Sequence, residues 1–221
     1  MTSFPIIFVL AIAAIVVAFL AYVAIGIYRM ITPTRGRKID HAARPGSALV
    51  IIDMQDDFTN KRGKNGFGDA AVASAIDTVN RHIEMARSQN IPVAVIRQVQ
   101  YEPIAILVTK LLAGPEGLAG SPGLGLDPRI DASAAPDFEK SRADAFSNKK
   151  FEAWLAENHI GQLKLVGLDG CYCVQATAHG ALNRGYAVEI LQDGVLTAFP
   201  ARWQECKMQL QARGAAIAGE T

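Results

Sequence analysis

The chain has 221 residues, half of them hydrophobic, with 22 Lys and Arg against 21 Asp and Glu and a formal net charge of +1. Once a membrane segment and its flank are set aside, that length holds one ordinary domain. Charges of both signs are mixed after Arg29, so there is no basic field of the kind that holds nucleic acid, and nucleic acid is excluded as a partner.

Met1 to Tyr28 contains no Asp, Glu, Lys, Arg or His. At about 1.5 Å per residue, the apolar stretch from Pro5 to Tyr28 is long enough for a hydrocarbon layer of roughly 30 Å. Residues 1–30 therefore read as one transmembrane anchor, in the lipid bilayer through residues 5–28. A cleaved signal peptide would want a basic n-region, a shorter apolar core and a small-residue cleavage site, and the first is absent. A buried core helix is the other alternative, disfavoured by the length. Arg29, Arg35, Arg37, Lys38 and Arg44 follow the span, while its N-terminal side carries no Lys or Arg. The positive-inside rule then predicts a single-pass protein, N-terminus outside and domain in the cytoplasm, at the inner membrane if the source is bacterial. Ala11, Ala14, Ala18 and Ala21 share one helical face, a spacing that admits a second helix, although alanine filling apolar sequence gives the same pattern. Residues 31–46, with Pro33, Pro45, Gly36, Gly46 and several cations, read as a basic juxtamembrane linker, and the folded domain is expected over 47–221.

From Ser47 the chain alternates. SALVIID is a short apolar run of buried-strand type, Ala70 to Gln89 has helical periodicity through Val72, Ile76, Val79 and Ile83, and IPVAVIRQV is a second β-branched run. Later, Phe151 to Asn158 is helical, LKLVGL a strand, Val174 to Arg184 helical, AVEIL a strand and Pro200 to Arg213 a closing helix. Strands this apolar, separated by helices, predict an α/β fold: a three-layer α/β/α, Rossmann-like domain with a mainly parallel sheet, preceded by one transmembrane helix. No internal repeat is visible.

Ligands of such sheets bind beyond the carboxyl ends of the strands. The polar residues predicted there are Asp53, Lys140 after a short strand around Asp137 to Glu139, and Asp169 to Cys173. An acid, an amine and a thiol have a joint chemical logic. A cysteine is a useful nucleophile as thiolate, and Cys173 stands where a loop turns into a helix, whose unpaired N–H groups favour negative charge. A carboxylate can take the thiol proton and return it to a leaving group, and a lysine can steady the developing charge. Taken residue by residue, a buried cysteine is more often an inert small hydrophobe.

Three strings join these residues. IIDMQDDF, EKSRADAFSN and LKLVGLDGCYCVQATAHGALNRGYAVEILQDG resemble, in order and spacing, the signature regions of the isochorismatase-like cysteine hydrolases, the family of nicotinamidases and N-carbamoyl amidohydrolases. The resemblance runs from Ser47 to about Thr197. It implies Asp53 as catalytic acid and base, followed by Gln55, Asp57 and Phe58, with Lys140 as the lysine preceding Ala145 and Phe146. Counting from Gly167, it implies Cys173 as nucleophile, with Val174, Thr177 and Ala178 after it. It also implies an oxyanion hole from the backbone N–H groups of Leu168 and Cys173, beside a non-proline cis bond expected between Gly167 and Leu168. Phe58, Asp169, Gly170 and Tyr172 are expected to border the substrate.

Departures from the family pattern bear on the substrate. Gly170 stands where relatives usually carry Thr, and Cys171 where an acid is common. Nicotinamidases carry an Asp-x-His metal site after the second strand, whereas this chain reads RQVQYEP, so no metal and no other cofactor are expected and nicotinamide is disfavoured. Cys173 also argues against isochorismate, whose hydrolysis is usually built without a nucleophilic cysteine. The expected activity is cleavage of a C–N bond, in a small-molecule amide or carbamoyl substrate, through an acyl-enzyme on Cys173. A catalytically idle, membrane-tethered scaffold of the same fold is the alternative, which the intact trio disfavours. Cys171 is taken as a neighbour rather than half of a CxC metal pair, and Cys206 as structural. The resemblance further implies a homo-oligomer.

The segment Tyr101 to Gly125 has no counterpart in the family core. Ile104, Leu107, Val108, Leu111 and Leu112 follow helical spacing ahead of a Gly/Pro-rich loop. It reads either as a helix packed on the core or an oligomer partner, or as an interfacial lid that admits an apolar substrate from the membrane.

Overall fold

The computed structural model describes residues 3–60, 67–112, 114 and 116–219. Helix α1 (Ser3–Ile31) is followed by β1 (Gly46–Ile52), a one-turn α2 (Asp56–Thr59), α3 (Asp69–Ser88), β2 (Val93–Gln98) and α4 (Pro103–Leu112). Then come β3 (Asp137–Lys140), α5 (Lys149–Glu157), β4 (Ile160–Gly167), α6 (Gln175–Asn183), β5 (Ala187–Val195), α7 (Pro200–Ala212) and β6 (Ala216–Ala218).

Successive residues of a strand point to opposite faces. β1 accordingly sends Ala48, Val50 and Ile52 into one core, with Phe151 and Leu155 of α5, Ala178 and Ala181 of α6 and Trp203 and Leu210 of α7. Leu49 and Ile51 enter the other, with Val72, Ile76, Val79 and Ile83 of α3. Both faces are thus covered, which is why these strands read as unbroken apolar runs. The six strands lie in the order β3-β2-β1-β4-β5-β6, and every pairing is parallel. The predicted α/β/α architecture with a parallel sheet is the observed one.

Local chemistry sets the helix boundaries. Asn148 caps α5 by accepting from the N–H groups of Lys150 and Phe151 at 2.7 and 3.3 Å. α2 and β6 are additions, both too short for periodicity to reveal. β5 runs on past its apolar stretch to Val195, which pairs with Gly167 across a shift in register.

α1 is long and apolar enough to cross a membrane, and its span Ile7–Ile31 has no residue buried against the domain. The segment after it, expected as a linker, lies along the domain as a strap. Thr34 donates from both N and Oγ1 to Asp144 Oδ2, at 2.7 and 2.6 Å. The guanidinium of Arg184, only 1% exposed, donates to Glu152 Oε1, to Thr34 O and Oγ1, to Arg35 O and to Gly180 O. Ile39 N–H donates to Arg184 O at 2.9 Å, and Arg44 Nη1 to the Tyr186 hydroxyl at 2.7 Å.

α4 occupies the start of the Tyr101–Gly125 segment. The side chains of Ile104, Val108, Leu111 and Leu112 lie outside the described residues, and Leu107 is exposed. The Gly/Pro-rich loop behind it docks on the turn after β1. Asp57 accepts from Gly117 N and Ser121 Oγ at 2.9 and 2.6 Å, and Gln55 Nε2 donates to Leu124 O at 2.9 Å.

Candidate active site

Three strand ends and the turn after a fourth strand converge at the carboxyl edge of the sheet. Asp53 follows β1 in the left-handed region at φ 54°, a conformation that costs a non-glycine residue about 1–3 kcal/mol and aims the carboxyl across the strand ends. Its N–H donates to Ile96 O at 2.9 Å and its carbonyl accepts from Gln55 N at 2.7 Å, which hold it there. Gln98 and Lys140 end neighbouring strands and are partners in the β2–β3 register.

The Lys140 ammonium has three hydrogens, and each has an acceptor. It donates to Asp53 Oδ2 at 2.8 Å, to Gln98 Oε1 at 2.7 Å and to Cys173 Sγ at 3.3 Å. Gln98 is held in turn by Gln55, whose Oε1 accepts from Gln98 N at 2.6 Å and whose Nε2 donates to Gln98 O at 3.1 Å. Asp53 Oδ1 is buried and accepts no hydrogen bond. The structure therefore gathers Asp53, Lys140 and Cys173, as expected, around a cation whose donors are spent.

Charge within this cluster is arranged by burial first. Burial pushes the Asp53 carboxyl above its ordinary value, against the pull of Lys140. Burial alone would lower Lys140, but the negative charge of Asp53 and the hydrogen bonds to Asp53 and Cys173 outweigh it and hold the amine protonated. The Cys173 thiol is pushed up to about 12, by burial and then by the Asp53 charge, with Lys140 opposing. The resting site is thus a neutral thiol beside a carboxylate with raised proton affinity.

The turn that carries Cys173 departs from expectation in two details. Leu168 N–H, expected as an oxyanion donor, instead donates to Ile52 O at 2.9 Å and is spent in the sheet. The cis bond lies between Leu168 and Asp169, one step beyond the expected Gly167–Leu168 bond. Gly167 has φ 117°, and a Cβ there would stand 2.0 Å from Ile52 O.

Residues 170–174 then form one π-helical turn that runs into α6. Asp169, expected to border the substrate, spends its carboxylate on this turn: Oδ1 accepts from Cys171 N and Oδ2 from Ala198 N, both at 2.7 Å. A Cβ on Gly170 would meet Trp203 and Val195 at 3.1 Å, so Trp203 fills the space that a larger residue at this position would need. Tyr172 is 44% exposed, edge-on to Phe199, with the Arg202 guanidinium over its ring. Phe58 packs on the α3-side core, and a Cβ on Gly117 would meet its ring and Gln98 O. Cys171 is buried, with Sγ near Thr197 Oγ1, and Cys206 sits in the core beside Trp203 and Leu210.

Sequence reasoning missed Gln98 and Trp203. Gln98 is legible only through the register that sets it beside Lys140, and Trp203 only as the occupant of the space over Gly170. Gln98 ends β2 and Gln100 lies two residues beyond it. Both amides are engaged, Gln100 Nε2 donating to Ser141 O at 2.9 Å. Among the described residues no group of three or more His, Cys, Asp or Glu is placed to hold a metal ion.

A parallel α/β sheet with acid, amine and thiol at one edge defines a class of cysteine hydrolase folds, and sequence comparison gives the family. Residues 47–220 match the isochorismatase domain, and the chain belongs to the isochorismatase-like family. It is 27% identical over 209 residues to a nicotinamidase of Escherichia coli, covering 78% of this chain and 94% of that protein. It is 26% identical over 167 residues to a nicotinamidase/pyrazinamidase of Mycobacterium tuberculosis, covering 66% and 84%. Among solved structures, an N-carbamoylsarcosine amidase of Thermoplasma acidophilum superposes with a TM-score of 0.67 at 24% identity, covering 79% of this chain and 96% of that one.

Proposed function

We propose that the chain is a membrane-anchored cysteine amidohydrolase that cleaves the C–N bond of a small amide or carbamoyl compound through an acyl-enzyme on Cys173. The observation that carries this reading is the Lys140 ammonium shared between Asp53 Oδ2 and Cys173 Sγ, with Asp53 Oδ1 buried and unpartnered. Family membership and the amidase names of its relatives support the same reaction class.

In the proposed cycle Asp53 Oδ1 takes the thiol proton as sulfur attacks the carbonyl carbon, so a C–S bond forms as the carbonyl electrons move to oxygen. The Cys173 N–H is a candidate oxyanion donor. The oxyanion collapses, the C–N bond breaks, and Asp53 returns the proton to the leaving nitrogen. Water then attacks the thioester, with Asp53 taking its proton, and the acid product leaves as the thiol is restored. Lys140 stays protonated throughout and balances the charge that passes between carboxylate and sulfur.

The anchor reading rests on α1, uncharged as far as Tyr28 and exposed along its length, with the basic residues from Arg29 onward favouring a cytoplasmic domain. Nicotinamide is not the favoured substrate, because the chain reads RQVQYEP at the end of β2 and lacks the Asp-x-His that the family resemblance implies there for nicotinamidases. The test is ammonia or amine release from a panel of amides and carbamoyl compounds by the full chain in lipid, with Cys173→Ala as control. Trapping a mass adduct on Cys173 with a slow substrate supports the acyl-enzyme; turnover surviving in Cys173→Ala refutes it.

A further inference from the structure

The end of α1 is tied to the same edge of the domain that carries the candidate site. Ala143 N–H donates to Met30 O at 2.9 Å, and Gln100 Nε2 reaches Met30 Sδ at 3.3 Å. Gln100 and Ala143 lie just beyond Gln98 and Lys140, on the chain leaving the carboxyl ends of β2 and β3. The strap then descends the flank of the domain to Gly46, which meets His159 O at the amino ends of β1 and β4. A helix that left toward the membrane from any other edge would not need this detour. The Thr34–Asp144 and Arg184 bonds fix the strap, so the exit direction of α1 is set by the domain rather than by a free tether.

A second observation agrees. Among the described residues, the exposed large apolar side chains outside α1 are Met85, Tyr101, Leu107, Tyr172, Phe199 and Met208. Four of these, Tyr101, Leu107, Tyr172 and Phe199, sit on segments that leave the carboxyl edge of the sheet: the β2 exit and α4, the thiol turn, and the loop after β5. Two are tyrosines, whose rings suit the boundary between headgroups and hydrocarbon. α4 itself, PIAILVTKLL, carries Lys110 as its one charge. Apolar side chains therefore gather at the edge from which α1, uncharged between Ser3 and Tyr28, departs, and Met30 near its end touches that edge at Gln100 and Ala143.

Resting on the anchored amidase reading, we infer that the site faces the bilayer surface and takes an amphiphilic substrate, an amide or carbamoyl head on an apolar tail. α4 and the exposed aromatics rest in the headgroup region, the tail stays in lipid, and the head alone reaches Cys173. A water-soluble amide of the same head gains nothing from this arrangement.

The test uses the full chain in lipid nanodiscs, with ordinary and with brominated-chain phospholipid. Leu107→Trp places a reporter on α4, and Glu157→Trp places one at the opposite edge. The native Trp154 and Trp203 supply a common background. The added emission of Leu107→Trp is expected to fall by about half or more in brominated discs, and that of Glu157→Trp to be unchanged. Protein that enters the discs but leaves Leu107→Trp unquenched, whether bathed in water or covered by a second copy, overturns the inference alone. Protein that fails to enter discs overturns the anchor and the inference with it.

The substrate arm compares a long-chain and a short-chain primary amide before and after a flexible Gly/Ser spacer is inserted between Tyr28 and Arg29, which interrupts α1 and its Thr32 N to Tyr28 O bond but keeps the bonds of Met30 to Ala143 and Gln100 and of Thr34 to Asp144. The long-chain rate is expected to fall about tenfold with the short-chain rate unchanged. An equal effect on both, or none, overturns the proposed substrate class. Hydrolysis by the unmodified chain of neither these amides nor a matched long-chain and short-chain carbamoyl pair overturns it together with the amidase reading, and quenching then decides the orientation by itself.

Discussion

Lys140 Nζ lies 2.8 Å from Asp53 Oδ2, with the two side chains 0% and 2% exposed, while the other carboxylate oxygen accepts no hydrogen bond. One oxygen is thus committed to the ion pair and the other is left to exchange a proton. That division makes the roles of the two residues experimentally separable.

Asp53→Asn removes the negative charge that helps to hold the Cys173 thiol near 12, so the thiol is expected to ionise at lower pH. Iodoacetamide should then label Cys173 several-fold faster near neutral pH than in the unmodified protein, while turnover falls about a hundredfold or more for want of the base. Mass spectrometry of the labelled peptide and an amide assay read the two effects. Labelling that slows in this variant contradicts the charge arrangement.

Lys140→Met leaves Asp53 buried without its cation, at a cost of about 3–5 kcal/mol. The sign follows from the carboxyl. Burial already raises it and Lys140 opposes, so losing Lys140 raises it further. A carboxyl raised by folding favours the folded state below its unfolded value, and that advantage is lost as pH rises through the folded value. Urea unfolding should show a larger deficit near about pH 8 than near about pH 5. Equal deficits at both would mean that Asp53 does not carry the charge assigned to it.

Gly170→Thr should destabilise the protein by about 1–3 kcal/mol through contact with Trp203. Pairing it with Trp203→Val should recover part of that loss, since the new side chain occupies the vacated space. Thermal unfolding of the four proteins of this cycle measures the coupling, and strictly additive losses would place the two residues out of contact.

Arg184→Met removes the guanidinium bonds to Thr34 and Arg35, so the strap should detach before the domain unfolds. Trypsin should then cut at Arg35, Arg37 or Lys38 about tenfold faster, with the far-ultraviolet spectrum of the domain retained. Unchanged cleavage would mean that the strap is held by its other bonds alone.

Much of this arrangement was legible in the sequence, and the rest was not, for identifiable reasons. Runs such as SALVIID announce buried strands because both of their faces are covered, and parallel order follows from the helices between them. Asp53 and Lys140 were found from their places at strand ends, and Cys173 from its place after one; the family resemblance joined the three. Gln98 escaped because its role depends on lateral register between β2 and β3, which no single strand encodes. The strap escaped because Pro33, Gly36 and scattered cations look like solvated linker, while its partners Asp144 and Arg184 lie more than a hundred residues away in sequence. Leu168 was expected as a donor from the family resemblance, and no local pattern announces that its N–H is committed to Ile52 O.

The strap has a mechanical meaning as well. The chain between α1 and β1 does not run straight from one to the other but is fastened at Met30, Thr34, Ile39 and Arg44 on the way. A pull along α1 meets these fastenings in turn before any tension reaches β1, which lies inside the sheet between β2 and β4. The strap acts as the strain relief on a cable, taking up a tug on the helix before it reaches the central strand that ends in Asp53.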